Sequence, residues 1–234
     1  MSALRLDELS WRELDGIAAR CVLLIPLGAT EQHGTALPYT VDSEIATALA
    51  GRIALDRSDT VLAPTVAYGA SGEHAAFAGT LSIGAEATEL VLVELGRSAD
   101  AFAGVLFVCC HGGNAEPLRS AVTLLRAEGR DVRAWAPRGE HTDSHAGAAE
   151  TSAMLALRPA SVRSEALQAG NTADLRELLP AVRAGGIAAV SPNGVLGDPR
   201  EASAERGARL LEAWAAELAG YAHRCWPTRD GDPA

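Results

Sequence analysis

Two short, unbroken apolar runs do most to limit what this chain can become. Residues 21–27 read CVLLIPL and residues 104–110 read GVLFVCC. Each has strand length, and neither alternates polar with apolar residues. A strand without a polar side must be covered on both faces, which is the habit of parallel sheets flanked by helices. Helical patterns fill the intervals as this requires. They run over 6–19, 43–55, 85–103, from Asn114 as N-cap to about 128, 147–157, 174–183 and 200–221. Further strands are expected over 60–69, interrupted by Pro64, and over 131–136. Asp42 or Ser43 is expected to cap the helix that follows the first strand. No repeat, low-complexity block or linker divides the chain, so residues 1–234 are read as one α/β domain with a loose tail over about 227–234. In such sheets ligands bind beyond the carboxyl ends of the strands. Chemistry is therefore expected just after Leu27 and just after Cys110.

Bulk properties narrow the class. No run of about 18 apolar residues exists, so no membrane span is expected. The opening MSALRLDELSWRELDG lacks the basic start and apolar stretch of a signal peptide, which points to the cytoplasm. A net charge of −10 opposes nucleic-acid binding. The four cysteines form no C-x-x-C pair. Cys109 and Cys110 should point to opposite sides of their strand as core residues, with a metal-ligating or redox role for Cys110, beside His111, as the alternative. G-x-S-x-G, G-x-G-x-x-G and G-x4-G-K-[ST] are all missing, against a serine hydrolase or a nucleotide-binding domain.

The expected chemical positions are where polar residues gather. Glu31 and His33 follow the first strand two residues apart, so their side chains share one side of extended backbone and Gln32 faces away. Asp42 comes after a loop that Gly34 and Pro38 allow to fold back. His111-Gly112-Gly113-Asn114 follows the second strand, and the glycines permit close backbone approach. His145 and Glu150 lie in a third cluster, where a loop runs into a helix. Three carboxylates and two histidines suit a pair of first-row divalent ions, with zinc, iron or manganese favoured over calcium. Asp42 is the expected bridge between them. Without metal the converging carboxylates should repel one another and their pKa values should rise.

The motifs LIPLGATEQHG-x3-LP-x3-D, HGGN and HAG-x2-ETS together resemble those of the creatininase family of amidohydrolases. The resemblance implies a three-layer α/β/α sandwich, a dinuclear metal centre and a homo-oligomer. It carries Glu31, His33, Asp42, His111 and Glu150 over as ligands, and His145 as catalytic proton shuttle. Glu73, His74 and Asn114 are expected near substrate or behind the ligands. Creatininase itself resembles H-Y-E-N at the second motif, where the Glu is a ligand. Gly113 stands there in this chain, so Glu150 is expected to supply the missing carboxylate. Within the family, the segments AYGASGEH, FAGT and GVLGDP look most like the creatininase-like peptidases of mycofactocin maturation. That implies a modified precursor peptide as substrate, cut near its C-terminus to release a fragment derived from a terminal Val-Tyr pair. Two other readings stand beside it: an amidohydrolase for a small cyclic amide or formamide, and a metal-binding scaffold without catalysis.

Overall fold

A computed structural model describes residues 3–227. Four strands make one parallel sheet in the order β2-β1-β3-β4. They are β1 (Val22–Leu27), β2 (Thr60–Leu62), β3 (Gly104–Cys109) and β4 (Val132–Trp135). The two apolar runs are thus the central pair, in register from Val22↔Gly104 to Leu27↔Cys109. Seven α-helices accompany them among the described residues: α1 (Trp11–Asp15), α2 (Val41–Asp56), α3 (Ala85–Ser98), α4 (Ala115–Ala127), α5 (Ala148–Leu157), α6 (Leu175–Gly185) and α7 (Ala204–Cys225). None is long and apolar enough to cross a membrane.

The alternation of strand side chains builds the three layers. Val22, Leu24, Leu106 and Val108 pack with Ile45 and Leu49 of α2, Met154 of α5 and Leu211 and Leu218 of α7. Leu23, Ile25, Val105 and Phe107 point the other way, onto Leu92 of α3 and Leu118 and Leu125 of α4. Cys109 joins this second core, whereas Cys110 packs against the first, and both are free thiols. Phe107 is fully buried, so Phe107→Ala should cost about 3–5 kcal/mol. The fold is the expected α/β/α sandwich.

Local differences have physical causes. The opening helix is only Trp11–Asp15, because Gly16 ends it and a 3₁₀ turn over Ala18–Arg20 leads into β1. The expected strand over 60–69 keeps Thr60–Leu62, and beyond Pro64 only Val66 bridges to Leu27. Neither Asp42 nor Ser43 is a cap, since α2 begins at Val41 after Thr40. Asn114 is no side-chain cap either. Its amide is engaged elsewhere, as described below. Except for Pro227, the expected loose tail lies outside the described residues.

Candidate metal centre

The carboxyl ends of β1 and β3 lie side by side, and their loops carry the first two clusters to one point. Asp42 and Glu150 arrive from helices, each in the first turn, of α2 and α5 respectively. The positive end of a helix dipole favours a carboxylate there. The α5 start is held by Asp143, whose two carboxylate oxygens accept from Ala148 and Ala149 N–H at 2.7 and 2.9 Å. All five expected ligands meet. Glu31, Asp42 and His111 form one group with ligand atoms within 4.8 Å of one another, and His33, Asp42 and Glu150 form a second.

Asp42 belongs to both groups and divides its oxygens between them. Its Oδ1 lies 3.3 Å from His33 Nε2 and its Oδ2 lies 3.4 Å from His111 Nδ1. His111 Nδ1 is also 3.2 Å from Glu31 Oε1, and His33 Nε2 is 3.8 Å from Glu150 Oε2. The second ring nitrogens set the tautomers. His111 Nε2 donates to the Ala70 carbonyl at 2.8 Å, so Nδ1 is the nitrogen left for a cation once the ring is neutral. His33 Nδ1 contacts the Glu31 carbonyl at 3.2 Å, which leaves Nε2 free. A carbonyl that fixes the tautomer and aims the ring is what metal-ligating histidines usually have. Both Glu31 oxygens, His33 Nε2 and Asp42 Oδ2 are buried without a hydrogen-bond partner. Orphaned anionic and lone-pair atoms at this density are costly to bury, and divalent cations would satisfy all of them. The residues present therefore fit a metal pair.

The charges distribute unevenly. Burial disfavours the Glu31 carboxylate, but His111 outweighs it and holds its pKa at about 2. Asp42 is likewise lowered, against burial, by His33 and His111. Burial works against charged His33, yet Asp42, Glu150 and Glu31 raise it to about 9. Only Glu150 behaves as mutual repulsion predicted. Burial first, then Asp42 and Glu31, raise it to about 7. The expected general rise is thus corrected: the histidines inside the cluster neutralise two of the three carboxylates.

His145 sits within the site, 3.6 Å from Glu31 Oε1 through Nδ1, with Nε2 donating to the Gln32 carbonyl at 2.8 Å. Burial, with charged His33, drives its pKa well below that of an ordinary histidine, so it is neutral at pH 7 without metal. His74 is also in the site, its Nε2 3.6 Å from the same Glu31 oxygen. Glu73 stays behind His111, 3.9 Å from Nε2 on the side away from the other carboxylates. Asn114 ties two loops together, accepting from Ala70 N–H and donating to the Gly28 carbonyl, both at 2.9 Å. A Cβ on Gly113 would run into the Ala70 carbonyl, His111 and Glu73. No acidic side chain fits at that position.

Gln32 escaped the sequence reading. It does face away from Glu31 and His33, but into a network. Its amide nitrogen lies 2.8 Å from His74 Nδ1 and 3.0 Å from the Gly194 carbonyl, and its oxygen accepts from Gly34 N–H at 2.8 Å. The late GVLG loop thereby braces the site, and Leu196 pairs with His145 through backbone. A cavity of about 670 Å³ opens from Glu31, Asp42, His111 and Glu150 and runs between α4 and α7 along β4. Cys110 lines it, with burial pushing its thiol well above the ordinary range. Exposed His141 lines it too, a place that sequence had offered no reason to expect.

The profile described as creatininase, creatinine amidohydrolase, matches residues 7–221. The chain belongs to the creatininase family. It is 50% identical over 219 residues to the mycofactocin precursor peptide peptidase of Mycobacterium ulcerans (strain Agy99), covering 89% of this chain and 87% of that protein. The protein of the same name from Mycolicibacterium smegmatis (strain ATCC 700084 / mc(2)155) is 49% identical, over 90% and 87%. The creatinine amidohydrolase of Pseudomonas putida is 38% identical over 85 residues, 32% of each chain. A crystal structure of creatinine amidohydrolase superposes with a TM-score of 0.81 at 25% identity, covering 98% of this chain and 100% of that one. Whole-chain sequence likeness thus runs to the peptidases, while the creatininase fold is common to both.

Proposed function

We propose that this creatininase-family chain is a metal-dependent peptidase of mycofactocin biosynthesis. It hydrolyses a peptide bond near the C-terminus of a modified precursor peptide and releases a fragment derived from the terminal Val-Tyr pair. The observation that carries this reading is a pair of candidate ligand triads that share Asp42 and open onto a large cavity. A cavity of about 670 Å³ suits a ligand larger than a small cyclic amide. Half of the 219 aligned residues are identical to those of a protein named mycofactocin precursor peptide peptidase.

Glu31, Asp42 and His111 would hold one divalent cation, and His33, Asp42 and Glu150 the other. Zinc or iron is favoured, and manganese also suits the donors. When bound, such a pair supplies an activated water and polarises the scissile carbonyl. The protein's own groups do the rest. Asp42 fixes the spacing of the two halves through its two oxygens. The carbonyls of Ala70 and Glu31 keep His111 and His33 in the ligating tautomer. His145, neutral and beside Glu31, accepts a proton at Nδ1 and passes it to the leaving amine. The N–H groups of Gly112 and Gly113 lie on the loop beside His111, where oxyanion donors are wanted. The peptidase is read as a cytoplasmic homo-oligomer. Tyr39, Tyr68, Leu81 and Ile83, exposed on the loops around the site, suit burial against further copies.

Incubating the metal-loaded protein with the modified precursor peptide, creatinine and a formamide tests the reading. Release of the C-terminal fragment, with the small amides untouched, is expected. Turnover of the small amides alone would overturn it.

A further inference from the structure

Gln32, His74 and His145 are buried together beside the candidate centre, and none of them is an expected ligand. Only one orientation is open to the Gln32 amide. Its oxygen accepts from Gly34 N–H at 2.8 Å and its nitrogen donates to the Gly194 carbonyl at 3.0 Å, and the roles of those backbone groups are fixed. Gly194 has a φ of 79°, and a Cβ there would collide with the Gln32 oxygen, so the late loop is shaped to hold this amide. The second hydrogen of the amide nitrogen is left for His74 Nδ1 at 2.8 Å. That ring nitrogen is therefore an acceptor, and His74 is neutral with its proton on Nε2. The backbone carbonyl of the same glutamine accepts from His145 Nε2 at 2.8 Å. Neutral His145 thus also carries its proton on Nε2 and keeps its lone pair on Nδ1.

The two rings, 4.4 Å apart between centroids, share a tautomer but turn opposite ends to the site. His74 Nε2 and His145 Nδ1 each lie 3.6 Å from Glu31 Oε1. That is beyond hydrogen-bond length, so both contacts act through charge. His74 turns the positive end of an N–H toward the carboxylate. His145 turns a lone pair toward it, an arrangement that improves when a proton arrives at Nδ1. His74 has no vacant nitrogen to receive one, since the Gln32 amide covers its Nδ1. We propose that Gln32 is a positioning residue that locks the two rings this way round, so that His145 alone can take the proton of the reaction. The inference rests on the peptidase reading and deepens it by naming what keeps the second histidine out of the proton's path. Without the amide, either nitrogen of His74 could carry the proton. With a lone pair on Nε2, His74 would repel Glu31 and compete with His145.

Long-range proton–nitrogen correlation spectra of the zinc-loaded, histidine-labelled protein report which ring nitrogen carries the proton, with His74→Asn and His145→Asn assigning the signals. Both rings should be protonated on Nε2 in the wild type. In Gln32→Met, with zinc content and circular dichroism unchanged, His74 should populate both tautomers while His145, held by backbone, keeps one. Its kcat on the precursor peptide should fall about 10–100-fold, as for loss of other outer partners, with KM changed little. A proton on Nδ1 of wild-type His74 would overturn the proposal. So would a Gln32→Met protein that keeps the single His74 tautomer or the wild-type kcat. The spectra need no substrate, which separates this inference from the wider reading. A locked His74 in a protein that cuts no peptide removes the peptidase and leaves the lock. Peptide cleavage by a protein whose His74 carries its proton on Nδ1 removes the lock and leaves the peptidase.

Discussion

The two candidate ligand triads share Asp42 but differ in their surroundings. Glu31, Asp42 and His111 are all buried, and His111 is locked by the Ala70 carbonyl, which Asn114 anchors through the neighbouring N–H. The other triad ends in Glu150, whose side chain is 22% exposed and faces the cavity. Glu150 is held by one backbone donor, Ala146 N–H at 2.6 Å, on a loop where Ala146 adopts a φ of 52°. A non-glycine residue in that region is uncommon and mildly strained. One triad is thus fully buried at the sheet ends, while the other ends in a partly exposed carboxylate that lines the cavity. The difference suggests a division of labour, a fixed half that organises and an open half that meets the substrate.

Asp42→Asn removes the group common to both halves and should have the largest effect. Metal content should fall to near zero, and activity should drop by more than the roughly 100-fold that losing an outer partner costs. Glu150→Gln should distinguish the halves, keeping one metal per chain in the buried triad while peptide cleavage is lost. Retention of both metals would erase the distinction. Asn114→Ala attacks the buried half from behind. It orphans the Ala70 N–H and the Gly28 carbonyl, at about 1–3 kcal/mol each. Metal affinity should weaken by roughly 10–100-fold, read as a chelator competition curve and a lowered melting temperature.

The smallest expected effect is that of pH on metal-stripped protein. His33 has a folded pKa raised to about 9, so its contribution is full below its unfolded pKa near 6.5 and is lost as pH rises through 9. Glu150, raised to about 7 from 4.5, likewise favours the folded state at low pH and loses that contribution as pH rises through 7. The melting temperature of the stripped protein should therefore fall between about pH 6 and pH 9. Glu150→Gln should remove the part near pH 7. A melting temperature that climbs across that range would contradict the charge distribution.

Much of this was legible in sequence, for particular reasons. The central pair β1 and β3 announced itself because a strand buried on both sides has no polar residues to blur its period. The convergence of the five expected ligands was legible because E-x-H, HGGN and the Glu of HAG-x2-ETS all follow elements whose ends must converge in a parallel sheet. Three things were not. Asn114 looked like a helix cap because capping and loop-bridging use the same amide, and only the approach of Gly28 and Ala70 decides between them. Gln32 was passed over because the local alternation says only that it faces away from the ligands, not that the late loop 193–197 packs there. The fate of each carboxylate's proton depended on which histidine lay within 4 Å, a fact that no spacing rule contains.

The central claim is that five side chains hold a pair of cations around Asp42. Counting metal by mass spectrometry in freshly purified wild-type protein, with protein concentration fixed by amino-acid analysis, addresses it most directly. The arrangement predicts two divalent transition metals per chain, both released on unfolding. One metal per chain or none, in protein that still cleaves its peptide after chelation, would contradict it.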